Sequence, residues 1–227
     1  MYFCDKIQWK ENNINIYMSV HNKKTIGIDL DDTLRATIEQ MCVVYNKAFG
    51  TKLKEKDVVS YDLEVSFPLC KAGTKVCISD GPYAEIWGEI KNGHDFFFHG
   101  NAEEVFMEAK PLKGVEVAFG ILKEHCNIIV ITNQFSVQNK AYAMEWLEKY
   151  GLEPNGLMFT ANKNLANTDL LIDDNPRFIL ESKVPSLLVN KTHNKEFDVT
   201  TCQMPCQRIE SLHSWVFSDD CKKFIFG

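Results

Sequence analysis

No stretch of the 227-residue sequence approaches the roughly 18 consecutive apolar residues a membrane-spanning helix requires. Its aliphatic runs, such as Ile128 to Ile131, are strand-length, and no membrane partner is expected. Positive charge is not in excess either. Lys and Arg number 25 against 31 Asp and Glu, and the formal net charge of -6 argues against a duplex nucleic-acid binder, which must neutralise a phosphate backbone. A dense cysteine framework is also missing: the eight cysteines are scattered, and the one close pair, Cys202 and Cys206, has a three-residue gap that suits zinc poorly. Asp5, Lys6, Lys10 and Glu11 interrupt any apolar leader, so a cytoplasmic, reducing setting with free thiols is expected. Internal repeats and low-complexity tracts are absent. What is present is an ordinary globular composition, 45% hydrophobic and 25% charged, with 15 Phe, 7 Tyr and 4 Trp to build a core and a pocket.

At roughly 150 residues per domain, the length suits one domain carrying a sizeable insertion. Short aliphatic runs at Thr25 to Leu30, Asn127 to Thr132, Leu157 to Thr160, Asp169 to Ile172 and Ser186 to Val189 read as buried parallel strands. Helical patterns lie between them, at Val115 to Glu124, Val137 to Tyr150 and Pro176 to Ser182. This alternation predicts an α/β fold with a doubly wound, Rossmann-like parallel sheet. Residues 35–110 break the rhythm with a helix at Ala36 to Phe49, a loop-rich centre and a helical stretch at Tyr83 to Lys91. They are expected to form a small, mainly helical cap inserted after the first strand. The core then comprises residues 25–34 and 111–217, flanked by an N-terminal extension, 1–24, and a peripheral C-terminal tail, 218–227.

Ligands of open α/β sheets bind beyond the carboxyl ends of the strands. The first run delivers Asp29-Leu-Asp31-Asp32-Thr33 to that edge, the second Thr132-Asn133 and the fourth Asp173-Asp174, while Lys163 follows the third. Carboxylates gathered at one crest repel one another unless a cation sits among them, and an all-oxygen site suits Mg²⁺. A carboxylate can attack phosphorus and be released by water, provided that a second carboxyl protonates the leaving oxygen and then activates the water. Lysine and threonine would stabilise the equatorial oxygens.

Ile26-Gly-Ile-Asp29-Leu-Asp31-Asp32-Thr33-Leu34 resembles the first motif of the haloacid dehalogenase-like hydrolases, Val130-Ile-Thr132-Asn133 the second, Lys163 the third, and Leu170-Leu-Ile-Asp173-Asp174-Asn-Pro176 the fourth. Four motifs in order, over about Thr25 to Lys191, are far more specific than the first alone. The resemblance implies Asp29 as nucleophile, Asp31 as acid/base that also ligates Mg²⁺, Thr132 and Lys163 as phosphate ligands, and Asp173 or Asp174 completing the metal site. Asn133 joins the expected substrate contacts, and so does Arg35, which could instead simply begin the cap helix on its exposed side. The insertion after the first motif and Met144-Glu-Trp146-Leu-Glu-Lys149-Tyr150 look most like the 5'(3')-deoxyribonucleotidase branch. That branch carries Gly-Val-Leu-Ala-Asp-Phe after its acid pair where this chain has Asp32-Thr-Leu-Arg35-Ala-Thr37. The resemblance thus implies a Mg²⁺-dependent phosphatase for nucleoside monophosphates. Alternatives are a phosphatase for another small metabolite, such as a sugar phosphate, and a non-catalytic phospho-ligand or partner-binding module. Assembly as a homodimer is left open.

Simpler readings compete at single sites. A calcium loop beginning at Asp29 would need Gly and Glu where Leu34 and Gln40 stand. Asp173-Asp174 could only cap a helix. Lys191 is the fallback phosphate ligand. Among the aromatics of residues 35–110, Tyr61, Phe67 and Trp87 are the candidates to stack on a base, with core packing as the competing role of each.

Overall fold

A computed structural model describes residues 23–79, 86–134 and 136–227, with the side chains of 76–79 and 86–88 outside the description. Residues 1–22 of the expected N-terminal extension, Tyr83 and the Trp87 side chain lie outside the described residues. Strand β1 (Thr25–Ile28) leads through a turn into helix α1 (Thr37–Phe49). Next come α2 (Leu63–Ser66), a β2 (Lys75–Ser79) and β3 (Ile86–Glu89) ribbon, α3 (Gly93–Asp95), a π-helical turn at Phe96–Gly100, and α4 (Ala102–Met107). Strand and helix then alternate through α5 (Val115–His125), β4 (Asn127–Thr132), α6 (Val137–Lys149), β5 (Gly156–Phe159), β6 (Leu170–Asp173), α7 (Pro176–Leu180) and β7 (Ser186–Val189). The chain closes with β8 (Cys206–Ile209), α8 (Leu212–Val216) and α9 (Asp219–Phe226).

Six strands form one parallel sheet in the order β5-β4-β1-β6-β7-β8. Helices cover both faces of such a sheet, which is why its strands read as unbroken aliphatic runs. The fold is therefore the expected α/β, Rossmann-like one. Strand β1 lies between β4 and β6, where the winding reverses, and register fixes what gathers at its carboxyl end. Ile28 is level with Val130 on one side and Ile172 on the other. Asp29 thus emerges beside Asp173, and Thr132 follows one step beyond. The main core joins Ile26, Ile28, Val130 and Ile172 to Phe119, Leu122 and Trp146. A second apolar cluster, with Met41, Tyr45, Phe67, Phe97 and Phe106, sits among the elements that follow β1.

Two expectations differ from the structure, and one strand was not anticipated. The helical stretch expected from Tyr83 to Lys91 is strand at Ile86–Glu89, paired antiparallel to β2; Ile86 and Trp87 are strand-forming residues that acquire a partner there. Strand β8 was not foreseen, because only Ile209 in it is fully buried at the sheet edge. The stretch beyond Phe217 is a helix capped by Ser218, and its Cys221, Phe224 and Ile225 pack on the main core. That spacing is one apolar face in an otherwise polar helix. Cys221→Ser should accordingly lower the unfolding free energy by about 1–3 kcal/mol in urea denaturation, because it places a hydroxyl in an apolar site. An unchanged midpoint would detach α9 from the core.

Candidate active site

Four segments meet at the carboxyl edge of the sheet. Asp29 follows β1 and donates its backbone N–H to Ile172 O at 2.9 Å. Asp173 ends β6, and Asp174 opens the loop behind it. The structure assigns the α7 cap to Asn175, whose side chain accepts from Arg177 N, with Pro176 in the first helical turn. Asp174 is not consumed as a cap. Lys163 begins a 3-10 turn (Lys163–Ala166) after β5 and is buried; its Nζ lies 2.5 Å from both Asp29 Oδ1 and Asp173 Oδ2. Carboxylate oxygens of Asp29, Asp173 and Asp174 all lie within 4.8 Å of one another, an oxygen-only cluster able to hold a hard cation.

Burial governs the electrostatics of this edge. It drives the Asp29 carboxyl well above the usual range; Lys163 opposes the shift and neighbouring carboxylates add to it. Burial likewise lifts Asp173 to about 6 against the pull of Lys163. Asp32, in a left-handed turn conformation (φ 57°), is raised by burial and by Asp174, with Lys191 pulling the other way. Burial works against the Lys163 ammonium, but Asp173 and Asp29 outweigh it and the net shift is upward.

Asp31 is held differently. Its Oδ1 accepts from Arg35 Nη2 (2.7 Å), Arg35 Nε (3.2 Å) and Thr37 Oγ1 (2.5 Å), and its Oδ2 accepts from Gln134 Nε2 (2.7 Å). Gln134 Nε2 also lies 3.1 Å from Thr132 Oγ1. Arg35 corrects a sequence expectation. It is fully buried, its guanidinium stands 4.6 Å from the Phe106 ring and 5.5 Å from that of Trp146, and it is no part of the cavity wall. Its guanidinium is bonded to Asp31.

A cavity of about 410 Å³ opens above this edge, and Asp29, Asp31, Thr132, Asn133, Asp173 and Asp174 all contribute to it. Tyr61 and Phe67 line it too, in roles other than free stacking surfaces. The Tyr61 hydroxyl sits 2.6 Å from Asp174 O and 3.0 Å from Asp174 Oδ2, and its ring meets that of His193 at 4.3 Å. His193 Nε2 in turn lies 2.9 Å from Asp174 Oδ2. Phe67 is fully buried and packs against Phe97 and Tyr45. Lys191, the fallback ligand, is paired with Glu55 at 3.0 Å. Gln134, Thr37 and His193 escaped the sequence reading. Gln134 stands two residues beyond Thr132 and was within reach of it; His193 had no local signal.

The family model described as 5' nucleotidase, deoxy (pyrimidine), cytosolic type C protein matches residues 80–215, more than half of the chain. A 5'(3')-deoxyribonucleotidase of Clostridium acetobutylicum is 29% identical over 176 residues, which are 77% of this chain and 86% of the relative. Among solved structures, a haloacid dehalogenase-like family hydrolase from Streptococcus pneumoniae superposes with a TM-score of 0.56 at 14% identity, covering 86% of this chain and 98% of its own. A structure of the same superfamily from Bacillus subtilis, solved with magnesium bound, gives 0.50 at 11% identity, covering 85% and 96%. These structural likenesses concern the fold.

The raised carboxyls give the metal-free protein a defined pH response. Folded Asp173 keeps its proton up to about pH 6, whereas an unfolded aspartate releases it near 3.8. The native state binds more protons across that window, so this group makes unfolding free energy fall as pH rises from about 4 to about 6. Asp29 and Asp32 act with the same sign. Urea denaturation in EDTA at stepped pH should show a steeper fall for wild type than for Asp173→Asn; equal slopes would refute the shift.

Proposed function

The chain belongs to the family of cytosolic type C 5'-nucleotidases, deoxy (pyrimidine), and from that premise we propose that it is a cytoplasmic, magnesium-dependent phosphatase. It hydrolyses (deoxy)nucleoside monophosphates through an aspartyl-phosphate at Asp29. The observation that carries this reading is the meeting of Asp29, Asp31, Thr132, Asp173 and Asp174 on the wall of one cavity, with Lys163 bonded to two of them.

Asp29, Asp173 and Asp174 fit a small hard cation, since they offer only oxygen and converge within 4.8 Å. Bound there, Mg²⁺ would offset the charge of the phosphoryl oxygens. Asp29 is the nucleophile: its carboxylate forms the bond to phosphorus as the ester bond to the leaving oxygen breaks. Asp31 supplies the proton to that oxygen, then takes a proton from the water that attacks the acyl phosphate, which returns Asp29 and frees inorganic phosphate. Arg35 and Thr37 occupy Oδ1 of Asp31, so Oδ2, beside Gln134 and Thr132, is the atom that exchanges the proton. Thr132, Asn133 and Lys163 hold the phosphoryl oxygens. Residues 35–110 act as the cap: Tyr61 and Glu55 reach back to Asp174 and Lys191. A wall containing Ile38, Met41, Phe67, Phe98 and Phe106 favours a flat base over a polar sugar phosphate.

Phosphate release from deoxyribo- and ribonucleoside 5'- and 3'-monophosphates and from sugar phosphates, with Mg²⁺ or EDTA, tests the proposal. Turnover of nucleotides is expected only with Mg²⁺, and Asp29→Asn should retain less than a few per cent of it. Activity confined to sugar phosphates, or undiminished in Asp29→Asn, would reject it.

A further inference from the structure

The three carboxylates of the cation cluster are not held alike. Lys163 pairs with Asp29 and Asp173, whereas among the described residues no lysine or arginine pairs with Asp174. The Asp174 charge also faces those of Asp29, Asp32 and Asp173, each of which it pushes toward protonation. Under that repulsion alone, a carboxylate on a rotatable side chain would turn away from the cluster. Hydrogen bonds hold it in place. From the core, Asn194 Nδ2 donates to the Asp174 carbonyl at 2.7 Å, and His193 Nε2 lies 2.9 Å from Oδ2. From residues 35–110, the Tyr61 hydroxyl reaches the same two acceptors, at 2.6 Å from the carbonyl and 3.0 Å from Oδ2.

The chain around Tyr61 is tied into a compact turn. Asp62 N donates to Ser60 Oγ at 3.0 Å, Ser66 Oγ donates to the Ser60 carbonyl at 2.7 Å, and Asp62 caps α2 through Glu64 N at 2.9 Å. Tyr61 itself is 41% exposed, so core burial does not account for its position; its hydroxyl bonds and its edge contact with the His193 ring do. Groups that hydrogen-bond a metal ligand fix its orientation, and their loss typically weakens metal binding 10- to 100-fold. We propose that Tyr61 is a positioning residue for the divalent cation: by holding Asp174 from the cap, it makes cation binding and cap docking depend on each other. Such coupling is reciprocal, so whatever the docked cap adds to cation affinity, the bound cation returns to cap docking. The inference rests on the magnesium-dependent reading and goes beyond it, by naming a cap residue on which the cation site depends.

Calorimetric titration of Mg²⁺ into the substrate-free protein tests it, in wild type and in Tyr61→Phe, which removes the hydroxyl and keeps the ring. The Kd for Mg²⁺ should rise at least about 10-fold in the variant. Amide hydrogen exchange with Mg²⁺ or EDTA reads the other side of the linkage. In wild type, Mg²⁺ should slow exchange across residues 58–66, and in Tyr61→Phe that protection should be largely lost. A tyrosine with a merely structural role would lower the urea midpoint in EDTA and leave the Kd where it was, and that result overturns the assignment. Exchange at residues 58–66 that Mg²⁺ does not slow in wild type, or slows equally in the variant, overturns the link to the cap. A wild type that takes up no Mg²⁺ at millimolar concentration would instead reject the magnesium reading, and this inference with it.

Discussion

Two carboxylates that end adjacent strands, and are cut off from water, can share an edge only with a cation between them. In this protein that cation is the Lys163 ammonium, 2.5 Å from Asp29 and from Asp173. Parallel pairing of β1 with β6 forces the two acids together, because Ile28 is level with Ile172. The cost of burying them shows in their raised pKa values. Taking charges out of water is costly, and their mutual attraction offsets this only where geometry and hydrogen bonding are good. Here the backbone N–H groups of Asn175 and Ile38 complete the arrangement, bonding Asp173 and Asp32. The edge is thus built to hold positive charge, and Asp174, close to both acids, completes an oxygen cluster of the kind a divalent ion takes.

Asp31 stands apart from that cluster. It is set by Arg35, which lies between two aromatic rings in the interior and extends its guanidinium to Oδ1. Two carboxylates two residues apart therefore receive different partners: Asp29 an ammonium and two neighbouring acids, Asp31 a guanidinium, a hydroxyl and an amide. Differing environments at paired carboxyls are what separates their chemical roles. The elements after β1 add their own hold on the edge, through Tyr61 on Asp174 and Glu55 on Lys191, so that part of the active-site environment is made by residues remote in sequence from the four motifs.

The parallel sheet was legible because buried strands leave short aliphatic runs and the helices between them keep their period. The site was legible for a related reason: the residues after each run are carried to one edge by topology alone, and Asp29, Thr132 and Asp173 needed no knowledge of side-chain packing. Long-range partnerships were not legible. Arg35 reads in sequence as either a phosphate contact or the exposed start of a helix, and only packing against Phe106 and Trp146 shows it turned inward. Tyr61 has the look of a stacking aromatic, yet its hydroxyl is bonded to a residue 113 positions away. Strand β3 and helix α9 escaped because each draws its stability from a partner surface that local propensity does not record.

The central claim is that Asp29, at the focus of this edge, carries the phosphoryl group. The most direct test is acid quench of the enzyme during turnover of a ³²P-labelled nucleoside monophosphate with Mg²⁺, followed by peptide mapping. The account predicts a hydroxylamine-labile phosphate on the peptide containing Asp29, lost in Asp29→Asn. Label on a different residue, or full turnover with no protein-bound phosphate at any quench time, would contradict it.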